Sequence, residues 1–157
     1  MKKLRIYLDT SVFGGKYDVE FELWIGIFFE NVISENLTII YSNVAEDELE
    51  NAPQKIKDFI ETIPQNNIMR VELTQEAILL AEQYIKEKVV GKSSRADCYH
   101  IAIATIIKAD ILVSWNFKHI VNIQRINGYN AINLLNGYQT IEIRTPREVF
   151  YDEGNNE

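Results

Sequence analysis

Two apolar segments of the chain end in polar groups of a kind that does chemistry. KLRIYLDTSVFGG runs into the carboxylate of Asp9, with the hydroxyls of Thr10 and Ser11 directly after it. ADILVSWNFKH ends at the neutral amide of Asn116, just after Ser114 and Trp115. In an open parallel sheet, ligands and reacting groups collect at the carboxyl ends of strands. These two ends therefore mark a carboxylate site with one charged and one neutral corner. Two further acids are candidates for it: Glu48, in the run Glu46-Asp47-Glu48, and Asp97, which opens a strongly apolar segment.

Each candidate also has a plain structural reading. An aspartate after a strand is commonly a turn or N-cap residue, and Asn116 reads as a turn residue before Phe117. A charge run is usually a solvated helix face. One of Asp47 or Glu48 is expected to turn inward, with Glu48 preferred because it precedes Leu49. For Asp97 the two readings stand evenly. Ser94-Arg-Ala-Asp97 fits a capping box, yet a carboxylate at the head of a buried helix needs a cation or strong hydrogen bonds.

Basic residues gather before Asp97 (Lys86, Lys88, Lys92, Arg95), and Lys118 follows Asn116. The plain reading is ordinary surface charge; the functional one is a local rim that guides phosphate. Thr10, Ser114, Lys118 and Arg95 are the candidate substrate contacts. His100 and His119 share no metal-ligand spacing with each other or with Cys98. His100 is expected partly buried near the site, His119 at the surface, and Cys98 in packing. Gly14-Gly15 has neither the Walker nor the dinucleotide spacing.

The elements that position these groups follow from periodicity. Residues 4–8 read as a central strand, and the spacing of Phe21, Trp24, Ile25, Phe28, Phe29 and Val32 gives an amphipathic helix over 20–33. NLTIIYS is a strand whose end, Ser42-Asn43, caps a helix to about Asn51, with Asn43-Val-Ala-Glu46 as a capping box. A short helix, QKIKDFIETI, lies between Pro53 and Pro64. IMRVEL is a strand followed by a helix over 74–88. A further helix over 95–108 is apolar nearly all round and should be buried. ILVSW is the fourth strand, 116–124 loop or short helix, 131–135 a short helix, and QTIEIRT the fifth strand. Strands alternating with helices predict an α/β fold: a mostly parallel five-stranded sheet with helices on both faces, in three layers.

Composition sets the outer bounds. At 157 residues the economical reading is one domain over 1–150 and a disordered acidic tail, YDEGNNE, over 151–157. A single cysteine excludes a disulfide framework and a cysteine-rich zinc site. MKKLRIYLD does not read as a signal peptide, and Lys108 and Asp110 interrupt the longest apolar stretch. The expected location is the cytoplasm, with no membrane association. The net charge of −7 argues against broad polyanion binding, though an acid cluster loaded with a divalent cation is far less acidic than the bare sequence.

Taken together, YLDTSVF, YSNVAEDELENAP, ADCYHIAIAT and DILVSWNFKHI resemble, in this order, the PIN-domain family of metal-dependent nucleases, which includes the toxins of VapBC toxin–antitoxin pairs. The resemblance spans nearly the whole chain. It implies a PIN-like fold, metal-binding acids at Asp9, Glu48 and Asp97, and catalytic roles for these three and Asn116. The fourth position usually holds aspartate; asparagine there lowers the formal charge of the site. Hard oxygen donors suit Mg²⁺ or Mn²⁺. The resemblance further implies hydrolysis of single-stranded RNA by metal-activated water, a homodimer, and a small antitoxin partner. A second reading is a catalytically weak PIN-like module that binds RNA or a protein. A haloacid-dehalogenase-type phosphatase ranks below both, because its second aspartate would fall on Ser11.

Overall fold

A computed structural model describes residues 3–150 of the chain; the acidic tail at 151–157 lies outside the described residues. The strands are β1 (Arg5–Leu8), β2 (Thr38–Ser42), β3 (Ile68–Val71), β4 (Ile111–Val113) and β5 (Glu142–Arg144). The helices are α1 (Thr10–Gly14), α2 (Glu22–Ser34), α3 (Asn43–Leu49), α4 (Gln54–Glu61), α5 (Gln75–Lys86), α6 (Arg95–Ile106), α7 (Ile123–Leu135) and α8 (Pro146–Phe150). The strands form one sheet in the order β3-β2-β1-β4-β5. Every neighbouring pair is parallel, so the sheet is wholly rather than mostly parallel.

β1 is central, and both of its faces are covered, which is why it reads as a continuous apolar run. Ile6 and Leu8 pack with residues of α1, α2 and α4, including Val12, Phe28 and Ile56. Tyr7 points the other way, into a second cluster with α5, α6 and α7. The result is the expected three-layer α/β/α sandwich. Because β2 and β4 flank β1 on opposite sides, the chain reverses its direction of winding beside β1. A crevice at the carboxyl ends of the strands is the usual place for a ligand in such a sheet.

α6 is buried around nearly its whole circumference, from Cys98 through Thr105, as its composition predicts. Neither anticipated capping box forms. Asn43 lies inside α3, and its Oδ1 accepts from the backbone N–H of Leu73 at 2.8 Å, tying α3 to the end of β3. Glu46 pairs with Arg70 instead of its own helix end. Ser94 stands at the N-cap of α6 without a side-chain cap bond. α1 and α8 carry too little periodicity to be foreseen.

The expected short helix at 131–135 is the end of a thirteen-residue helix, α7. Its start is fixed by Asn122, whose Oδ1 accepts from the N–H groups of Gln124 and Arg125. Gly128 hides the helix from a propensity reading, and packing explains the glycine. A Cβ at position 128 would lie 2.8 Å from Cγ1 of Val89, a stiff β-branched side chain. Gly128→Ala is therefore expected to lose about 1–3 kcal/mol to overpacking. The double variant Gly128→Ala/Val89→Ala should recover part of that loss in urea melts. Among the described residues, no helix is long and apolar enough to cross a membrane.

Candidate functional site

The carboxyl end of β1 delivers Asp9 into the interior, where the residue is only 4% exposed. It occupies the N-cap position of α1 but makes no side-chain cap bond. Its Oδ1 accepts from Ser11 Oγ at 2.6 Å. Ser11 Oγ in turn accepts from the N–H of Trp115 at 2.9 Å, and Ser114 Oγ accepts from the N–H of Asn116 at 2.9 Å. The two serines thus fasten the end of β4 to Asp9. Ser114 is fully buried and stands behind the acid as its support.

Burial pushes the Asp9 carboxyl up to about 6. His100 and the Ser11 and Ser114 hydroxyls oppose that rise, and the charge of Asp97 adds to it. Asp97, in the first turn of α6, is half-buried and also raised, by burial first and by Glu48 among its neighbours. Asp97 is therefore close enough to repel Asp9 and to be repelled by Glu48. Among the described residues, no Lys or Arg pairs with Asp9 or Asp97.

Glu48 lies on α3 with its carboxylate turned inward, as preferred over Asp47. Thr10 Oγ1 donates to Glu48 Oε1 at 2.9 Å, and His100 Nε2 lies 2.7 Å from the same oxygen. His100 is 1% exposed, buried far more deeply than its sequence position suggests. Its Nδ1 lies 2.7 Å from the hydroxyl of Tyr7, which is 2.8 Å from Ser42 Oγ. With a neutral imidazole these bonds run one way: Ser42 donates to Tyr7, Tyr7 to Nδ1, and Nε2–H to Glu48. Tyr7 and Ser42 were not recognisable as site residues, because nothing local connects β1, β2 and α6.

Asn116 is fixed by two bonds. Its Oδ1 accepts from the N–H of His119 at 3.0 Å, which turns Nδ2 towards Asp97 Oδ1 at 3.3 Å. The neutral corner thus gives Asp97 a donor where an aspartate would place a second negative charge. His119 is not a surface residue: it is half-buried, and its Nδ1 is enclosed without a hydrogen-bond partner. Arg95 pairs with Glu82 on α5, and Lys118 is exposed beside Asn116. Cys98 is fully buried, and burial foremost pushes its thiol up to about 12, which suits a packing role.

Among the described residues, no three His, Cys, Asp or Glu side chains converge as they stand to enclose a metal ion. The donor set nevertheless fits a hard divalent cation. Mg²⁺ is commonly held by one or two carboxylates and several waters, and Asp9 and Asp97 are two like-charged, poorly solvated carboxylates that no Lys or Arg among the described residues pairs with. Glu48 is the third acid, held aside by Thr10 and His100.

No protein-family model matches the chain, and no curated protein matches its sequence. Several solved structures are similar in fold, two of them of VapBC complexes. One is the crystal structure of VapBC2 from Rickettsia felis bound to a DNA fragment from their promoter. It matches with a TM-score of 0.60 and 13% identity, over 90% of this chain and 98% of that one. The other is the crystal structure of DNA-bound VapBC from Salmonella typhimurium, with a TM-score of 0.53 and 17% identity over 91% and 98%. At these identities the likeness is one of fold. The chain has the PIN-like α/β fold to which its motifs pointed.

Proposed function

We propose that the chain is a metal-dependent endoribonuclease of PIN type, the toxin of a toxin–antitoxin pair, acting on single-stranded RNA in the cytoplasm as a homodimer. The observation that carries this reading is the buried Asp9 carboxylate at the end of β1, which no Lys or Arg among the described residues pairs with and which Asp97 repels. Asp9 and Asp97 would hold Mg²⁺ or Mn²⁺, with Glu48 as the third acid. A bound divalent cation supplies a lower pKa for water and positive charge against that building on the phosphate. Within the chain, Ser11 and Ser114 fix Asp9, His100 and Thr10 fix Glu48, and Asn116 fixes Asp97. Thr10, Lys118 and Arg95 would contact the passing RNA.

The test is cleavage of single-stranded RNA with Mn²⁺ or Mg²⁺. Cleavage is expected with metal, stops with EDTA, and is lost in Asp9→Asn. Cleavage that survives Asp9→Asn would sink the proposal.

The engaged carboxylate of Glu48 and the neutral Asn116 favour a second reading, a catalytically weak module that binds RNA or a protein partner. Asn116→Asp separates the two. It replaces the donor to Asp97 with a negative oxygen, so the metal-free variant is expected to lose about 1.5–3 kcal/mol, the worth of a hydrogen bond to a charged group. Mn²⁺ should raise the melting temperature of this variant more than that of the wild type. If the variant cleaves RNA and the wild type only binds it, the weak-module reading stands.

A further inference from the structure

Beside the acid site lies a cleft of about 750 Å³ at the carboxyl ends of β4 and β5, walled by the start of α2 and the start of α8. Its lining is aromatic and cationic together. Phe21 stacks on Trp115 with ring centroids 4.2 Å apart at 15°. Phe117 stands 6.1 Å from Trp115, tilted by 47°, and is 51% exposed. The Arg147 guanidinium lies 4.8 Å above the ring of Trp24, and Arg144 borders the same space.

Two acids also line the cleft, and their placement sets its polarity. Glu148 Oε1 accepts from the N–H and the hydroxyl of Thr145, at 3.1 and 2.9 Å, so its charge is spent on the start of α8. Glu20 lines the wall next to Phe21. Arg144 pairs with Glu142 at 2.5 Å and donates to the carbonyl of Ile143 at 2.9 Å, and its five N–H groups exceed what those two bonds use. Asn116 sits in the chain between Trp115 and Phe117, and the N–H of Trp115 donates to the Ser11 hydroxyl that holds Asp9, so the backbone of this cleft wall adjoins the acid site.

We infer that this cleft takes a nucleobase of single-stranded nucleic acid, stacked on the exposed Phe117 ring with the buried Trp115 and its stacking partner Phe21 behind it, and with the adjoining phosphate turned towards Arg144 and Arg147. Rings beside guanidinium groups are the pairing that single-strand binders use, because every base has a π-face and every nucleotide a phosphate. An apolar peptide would call for aliphatic walls, and the cleft has none. The inference rests on the nuclease reading for the identity of the strand, and it adds where the nucleotide beside the acid site is held.

The chain has two tryptophans, Trp24 and Trp115, and both line the cleft. Their emission therefore reports occupancy directly. The experiment titrates wild-type protein with an oligoadenylate octamer in EDTA at low salt. Saturable quenching is expected. Phe117→Ala, at a half-exposed position outside the buried core, should weaken binding about 5- to 150-fold. Arg144→Gln should lower the slope of log affinity against log salt by about 0.7.

Unchanged emission at millimolar oligoadenylate overturns the inference, as does equal affinity in Phe117→Ala. Equal quenching by an RNA duplex of the same length also overturns it. Quenching by a basic amphipathic twelve-residue peptide but not by oligoadenylate would give the cleft to a protein partner and likewise overturn it. Cleavage of the same RNA with Mn²⁺ keeps the two proposals apart. Cleavage with silent tryptophans removes the cleft alone, whereas saturable quenching without cleavage removes the nuclease reading and leaves the cleft.

Discussion

Asp9→Asn is expected to abolish metal-dependent cleavage while making the metal-free protein more stable. The cause is the environment of the carboxylate. Burial dominates, and Asp97 adds to it, against His100, Ser11 and Ser114, so the folded pKa stands at about 6. An ordinary aspartate titrates near 3.9. The folded state therefore holds its proton more tightly than the unfolded chain. Metal-free stability should fall as pH rises from about 4 through 6 and then level off, by a total on the order of 3 kcal/mol. An asparagine carries no charge to desolvate and escapes this loss. Its extra donor needs an acceptor, so the net gain at pH 7 is about 1–3 kcal/mol. At pH 4 the two proteins should be nearly equal.

The functional half of the same experiment has the opposite sign. A cation that binds only the folded state stabilises it by about 2.7 kcal/mol at one hundred times its dissociation constant. Mn²⁺ should therefore raise the melting temperature of the wild type and leave Asp9→Asn unmoved. Removing a metal ligand forfeits several kcal/mol of transition-state stabilisation, on the order of a 10³-fold loss in cleavage rate. Urea melts from pH 4 to 8, with and without Mn²⁺, check the stability half. A destabilised Asp9→Asn with an unchanged pH profile would mean that Asp9 is a structural acid satisfied by Ser11 and Ser114.

The sheet was legible in the sequence because its central strand is covered on both faces and leaves an uninterrupted apolar run. α6 was legible for the same reason, being apolar all round and buried from Cys98 to Thr105. Asp9 was legible as an acid at the end of such a strand. What escaped was decided by partners distant in the chain. The capping pattern at Asn43 and Glu46 was correct as a local motif, but Leu73 and Arg70 claim those two side chains. α7 was cut short by Gly128, whose reason is Val89 rather than a turn. Phe21 and Trp24 read as part of the core stripe of a helix, whereas they wall the cleft beside Trp115. Tyr7 was hidden because its partners, Ser42 and His100, are 35 and 93 residues away.

That last network carries the other large effect. His100→Ala is expected to destabilise the protein by about 2–4 kcal/mol, because it opens a cavity in α6 and strips a partner from each of two groups. Tyr7 would keep Ser42, and Glu48 would keep Thr10. Size alone does not separate packing from placement of Glu48, but pH does. Burial works to raise the Glu48 carboxyl, yet the hydrogen bond and charge of His100, with Thr10, outweigh it and the net shift is downward. In the wild type, then, Glu48 contributes stability that is present above its unfolded value of about 4.3 and is lost as pH falls through the folded one. Without His100 the burial effect prevails, and the contribution changes sign in the same window. The gap in unfolding free energy between wild type and His100→Ala should therefore widen as pH rises from about 3 to about 5.5. A gap that stays constant over that range would show that His100 only fills space. A widening gap, absent in the double variant His100→Ala/Glu48→Gln measured against Glu48→Gln, makes His100 the residue that holds Glu48 in place.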